Sequence, residues 1–143
     1  MNEMKLEFLS VLENETFCRT SVVAFLMPLN LSMDTLMELK TILAEAVVNA
    51  MIHGYETLEG YIKVHVAYDD TEICIEIRDE GCGIEDLDKA MEPLYTSKEH
   101  LERSGMGMTI MKTFADEFQI TSQVGQGTCV TIRKKIPYGN IRE

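Results

Sequence analysis

Ile73-Cys74-Ile75-Glu76-Ile77-Arg78-Asp79-Glu80-Gly81-Cys82-Gly83 is the stretch that decides how this 143-residue chain folds. Side chains alternate across a strand, so Ile73, Ile75 and Ile77 share one face, and Asp79 continues the same odd-numbered series. A carboxylate in phase with a buried face is costly unless something satisfies it. Gly81 and Gly83 allow a backbone to come close to a ligand. A fixed acceptor beside such a turn suits an exocyclic amine, which adenine carries where guanine has a carbonyl, and this points to a nucleotide pocket. The same pentapeptide, Asp79 to Gly83, also reads as a strand that ends in a turn with a capping Asp.

Working outward, Ile62, Val64, Val66 and Tyr68 alternate with Lys63, His65 and Ala67, and Asp69-Asp70 turns this strand into the next as a hairpin. Met4, Leu6 and Phe8 alternate with Lys5 and Glu7, which predicts a first strand near residues 3–9. Asn14 or Glu13 opens a helix carrying Phe17, Val22, Phe25 and Leu26, closed by Pro28. A second helix starts near Ser32 or Asp34 and runs to about Gly54. Beyond the glycine turn, a short helix from Glu85 to Met91 is followed by a polar loop, Glu92 to Ser104. A loop of that length inside a compact domain points to function or disorder. Gly105-Met106-Gly107 precedes a helix carrying Ile110, Met111, Phe114 and Ala115. Two last strands, about 118–124 and 128–134, flank Gly125-Gln126-Gly127. Strands apolar on one face only suit an antiparallel sheet covered by helices on one side. The expected class is therefore α+β, a two-layer α/β sandwich formed by residues 1–143 as a single domain.

Composition narrows the function. A hydrophobic fraction of 45% and a charged fraction of 26% are those of an ordinary globular chain. A formal net charge of −11 argues against binding nucleic acid through its phosphates and permits attraction to a basic protein partner. The absence of an apolar run of membrane-span length, and of a signal-peptide core behind Met1, predicts a cytoplasmic chain. Cys18, Cys74, Cys82 and Cys129 lack Cys-x-x-Cys spacing and read as thiols in a reducing compartment, not as a disulfide or zinc framework.

The second helix is apolar almost all round from Ile42 to Ile52, except at Glu45 and Asn49. These lie four apart, hence on one face. A buried helix with two such groups needs a polar slot, and a carboxylate beside a neutral amide suits a general base next to an oxygen ligand for Mg²⁺. A solvent-facing stripe is the alternative. Gly105-Met106-Gly107 at a helix start suits an anion, with Arg103 upstream adding a charge-assisted contact; an ordinary flexible loop before a helix is the alternative. Thr128 shares a strand face with Val130 and Ile132, so its hydroxyl points inward as the Asp79 carboxyl does.

Taken in order, Glu-x-x-x-Asn on a helix, Asp-x-Gly-x-Gly after a strand, a long loop, Gly-x-Gly before a helix and Gly-Thr entering a strand resemble the Bergerat ATP-binding fold. That fold is shared by histidine kinases, gyrase-type ATPases and anti-sigma serine kinases. Glu45 to Tyr55, Arg78 to Ile84 and Leu101 to Met111 look like the sporulation anti-sigma factors of endospore-forming bacteria, and the resemblance extends over nearly the whole chain. It implies an ATP-dependent protein serine/threonine kinase that uses ATP/ADP and Mg²⁺. Glu45 would be the catalytic base and Asn49 the metal ligand. Asp79, assisted by Thr128, would accept from the adenine amine, and Gly81 and Gly83 would let the loop pass close to the base. Gly105, Met106, Gly107 and Met108 would offer N–H groups to the phosphates, with Arg103 near the terminal one. Residues of about 84–107 would form the ATP lid. The implied partners are a sporulation sigma factor, an anti-anti-sigma protein that is the phosphorylation substrate, and a second copy of the chain in a homodimer. Arg19 would meet both partner proteins. Cys82 and Met108 fall at variable positions of the glycine boxes, where the backbone matters more than the side chain. Competing accounts are a histidine kinase fragment, a nucleotide-ordered switch without turnover, and an interaction domain that binds no nucleotide.

Overall fold

A computed structural model describes residues 1–54, 60–81 and 107–137. The chain begins with strand β1 (Asn2–Leu9) and helix α1 (Glu13–Leu26). Leu12 precedes α1 without a capping side chain, and Asn14 instead donates its amide to the Leu9 carbonyl at 2.8 Å, tying helix to strand. Pro28 stops the helix by removing a backbone donor, and Met27–Leu29 tighten into a 3₁₀ turn. Asn30 follows at φ 51°, a left-handed position that Asn tolerates. Ser32 then caps α2 (Met33–Asn49), its hydroxyl accepting the Thr35 N–H at 3.2 Å. The helix continues as a π turn over Ala50–Gly54, which packs against the third and fifth strands of the chain.

Strands β2 (Tyr61–Tyr68) and β3 (Glu72–Asp79) form the expected hairpin. Its turn is locked by Asp69, whose carboxylate accepts the N–H groups of Thr71 and Glu72 at 2.8 and 3.0 Å. Those donors hold the Asp69 carboxyl below its ordinary pKa. Helix α3 (Gly107–Phe114) leads into β4 (Glu117–Gln123) and β5 (Gly127–Lys135). Among the described residues the strands form one antiparallel sheet in the order β1-β2-β3-β5-β4.

Alternation decides which face the helices cover. Ile62, Val64 and Val66 from β2, Ile73, Ile75 and Ile77 from β3, and Val130 and Ile132 from β5 are buried under α1, α2 and α3. The helices supply Cys18, Val22 and Leu26, then Leu39, Ile42, Leu43, Ala46 and Val47, then Met111. The class is α+β in two layers, as the strand patterning predicts. Phe17 differs from expectation: it is 50% exposed, and Cys18 takes the inward position while Phe17 meets the edge of Phe8. A helical residue one place off the buried stripe reaches only the rim of the core. The expected helix at Glu85–Met91 and the loop at 92–104 lie outside the described residues.

Candidate functional site

Asp79 ends β3 on the helix-covered face and is 6% exposed. Its register partner is Thr128, as Ile77 is of Val130 and Ile75 of Ile132, so both polar groups continue rows of apolar residues. The Asp79 carboxylate accepts the Gly81 N–H at 2.9 Å, which folds the chain back at the strand end. Burial raises the Asp79 pKa above 3.8, and the backbone N–H groups of Gly81 and Thr128 pull against that rise. Thr128 Oγ1 lies 2.8 Å from Ser122 Oγ, which also donates to the Gly127 carbonyl at 3.1 Å. A desolvated carboxyl with acceptor capacity left over, beside a tight turn, can recognise an N–H donor on a planar ligand.

Gly127 belongs to this corner although the motif reading assigns it no role. It sits at φ +117°, and a methyl group there would lie 2.1 Å from the Asp79 carbonyl oxygen and 2.8 Å from Glu80 Cα. Only hydrogen allows β5 to enter the sheet this close to the end of β3. The available signal was Gly-Thr after a turn; the crossing itself depends on strand register.

Glu45 and Asn49 project from one face of α2, and the N-terminus of α3 is set against them. A methyl at Gly107 would lie 2.9 Å from Glu45 Oε2 and 3.0 Å from the Asn49 amide. The slot expected from the apolar run of α2 is therefore roofed by a glycine backbone. A carboxylate, a neutral amide and a helix N-terminus converge there, which suits a phosphate with an oxygen-liganded cation. Asn49 offers a hard oxygen donor of the kind that Mg²⁺ takes. Met108 packs against the core beside Gly107. Gly83, Arg103, Gly105 and Met106 lie outside the described residues, as does most of the proposed lid.

Arg19 lies on α1. It pairs with Glu15 one helical turn away at 3.3 Å, a half-buried i,i+4 contact contributing about 0.3–0.5 kcal/mol. With Thr20, Val23 and Lys40 it lines a groove of about 280 Å³ between α1 and α2. Cys18, Cys74 and Cys129 are free thiols; burial, and then Glu15, pushes Cys18 up to about 12, so it is inert. Among the described residues no three His, Cys, Asp or Glu side chains gather as a metal site, and no helix is long and apolar enough to cross a membrane.

Fold and site define a class, and residues 12–134 match the family model described as a histidine kinase-like ATPase domain. The structure is similar to the histidine kinase domain of the Erythrobacter litoralis EL346 blue-light activated histidine kinase, with a TM-score of 0.55 and 19% identity, covering 74% of this chain and 46% of that one. Curated relatives narrow the class. The anti-sigma F factor of Clostridium botulinum (strain Eklund 17B / Type B) is 50% identical over 94% of both chains. Those of Clostridium kluyveri and Bacillus subtilis (strain 168) are each 47% identical, over 93% and 94% of this chain and 94% and 93% of theirs. The chain belongs to the histidine kinase-like ATPase family and, within it, to the anti-sigma F factors.

Proposed function

We propose that the chain binds Mg·ATP, phosphorylates a serine of an anti-anti-sigma protein, and sequesters a sporulation sigma factor while that antagonist is absent. The observation that carries this is the approach of Gly107 to both Glu45 and Asn49. It sets a carboxylate, an amide and a helix N-terminus in one place, an arrangement that supports positional and electrostatic catalysis of phosphoryl transfer.

In this account Asp79 accepts from the adenine amine with Thr128 alongside, and Gly81 and Gly83 let the chain run close to the base. Gly105, Met106, Gly107 and Met108 present N–H groups to the phosphates, with Arg103 at the terminal one. Asn49 would hold Mg²⁺, which when bound neutralises phosphate charge. Glu45 takes the proton of the acceptor serine hydroxyl as its oxygen bonds to the γ-phosphorus and ADP leaves. Residues of about 84–107 serve as the lid, and residues 1–143 act as one domain. Arg19 meets both protein partners, and two copies form the working dimer. A protein of net charge −11 has no need of nucleic acid to find a basic protein partner.

Glu45→Gln tests the central role. It keeps size and polarity while removing the base, so phosphotransfer should fall by about 10²–10⁴-fold. Calorimetric Mg·ATP binding and sigma-factor binding should persist. Transfer at the parent rate would remove Glu45 from the mechanism.

A further inference from the structure

Lys134 sits in β5 on the face of Thr128, Val130 and Ile132, where the sequence otherwise places apolar residues. Its side chain is only 12% exposed. The ammonium reaches Glu38 Oε2 at 2.5 Å on α2 and donates to the Phe114 carbonyl at 2.7 Å at the last residue of α3. Three elements therefore meet on one charge. A cation on the final carbonyl of a helix also matches the negative end of its dipole.

The other end of α3 is Gly107, set against Glu45 and Asn49. From Gly107 to Phe114 and from Glu45 back to Glu38 is the same number of residues, each a span of about 10 Å at 1.5 Å per residue. Helix α3 thus lies antiparallel along α2, held at both ends, with Met111 fully buried between. Sliding α3 by one residue would shift Gly107 relative to the carboxylate and the amide. The Met111 side chain is part of the apolar core, which tolerates such a slide; the ammonium bonds at Phe114 and Glu38 do not.

We infer that Lys134 is a positioning residue that fixes the register of α3 on α2 and so sets the phosphate-facing backbone at Gly107 over Glu45 and Asn49. The inference rests on the nucleotide reading of the site. The Asp79 corner, built from β3 and β5, does not depend on this clamp.

The test compares Mg·ATP with adenosine by calorimetry on the full chain, since adenosine lacks phosphates. Lys134→Met should weaken Mg·ATP by about tenfold or more while adenosine affinity stays within about twofold. Lys134→Arg, which can still bond both acceptors, should recover most of the loss. Glu38→Gln should weaken Mg·ATP selectively and non-additively with Lys134→Met, and it carries the test if the lysine variant does not fold. Equal losses for both ligands, or none for either, would overturn the role of Lys134. A parent chain that binds neither ligand would overturn the nucleotide reading itself, which the parent control identifies separately.

Discussion

Removing the charge from Asp79 separates what its carboxyl does for a ligand from what it does to the fold. The folded chain keeps the Asp79 proton to higher pH than the unfolded chain, because burial raises its pKa above 3.8. Below the unfolded value both states are protonated and the side chain costs no charge burial. As pH rises through the raised folded value, that advantage is lost. The ligand-free parent should therefore lose melting temperature between pH 4 and pH 7 relative to Asp79→Asn, which keeps the oxygen that accepts from Gly81. At pH 7 the variant should melt at the same or a higher temperature yet bind no nucleotide. Parallel melting curves across that range would show that Asp79 does not carry the penalty assigned to it.

At the scale of elements, the entry of β5 past the end of β3 depends on one missing methyl. Gly127→Ala combines a positive φ with a 2.1 Å approach to backbone, and should cost about 3 kcal/mol or more by denaturant unfolding. Gly125→Ala provides the contrast, since a methyl there meets nothing within 4 Å and only its φ of +82° is strained. Equal costs at the two sites would remove the crowding argument.

The five strands and the first helix were legible because period-2 and period-3.6 patterns are local, and their limits fall within a residue or two of expectation, whereas α2 gives way to a π turn after Asn49. Asp79 and Thr128 were legible as polar groups in phase with apolar rows, and Glu45 and Asn49 as the two polar places on a helix otherwise apolar. Gly127 and Gly107 were visible only as motif letters, because their neighbours come from remote parts of the chain. Lys134 carried the same signal as Asp79, a charge in phase with Val130 and Ile132, but its partners depend on how α2 and α3 lie together. Phe17 was misplaced because a helix rotated by one position exchanges rim for core.

Over the whole molecule, charge is unevenly shared. The chain carries 24 acidic against 13 basic side chains, yet Arg19 and Lys40 border one groove. Association with a protein partner of basic surface should be steered by the acidic field and screened by salt. Raising ionic strength from about 0.05 to 0.5 M should slow association by about tenfold or more, with a smaller effect on dissociation. A salt-independent rate in stopped flow would assign the encounter to shape alone.

The sheet order also has a consequence for synthesis. Strand β3 is central, but its neighbour β5 follows in the chain only after α3 and β4, with Asp79 paired to Thr128. At about 5–20 residues per second a ribosome needs roughly 2–10 s to supply that partner. Throughout the interval the hairpin has an open edge beside Ile73, Ile75 and Ile77, a template for pairing with another nascent chain. Among the described residues the last strand to be made is the one that joins β3 to β4, so the nascent hairpin stays exposed to misassembly until β5 has emerged.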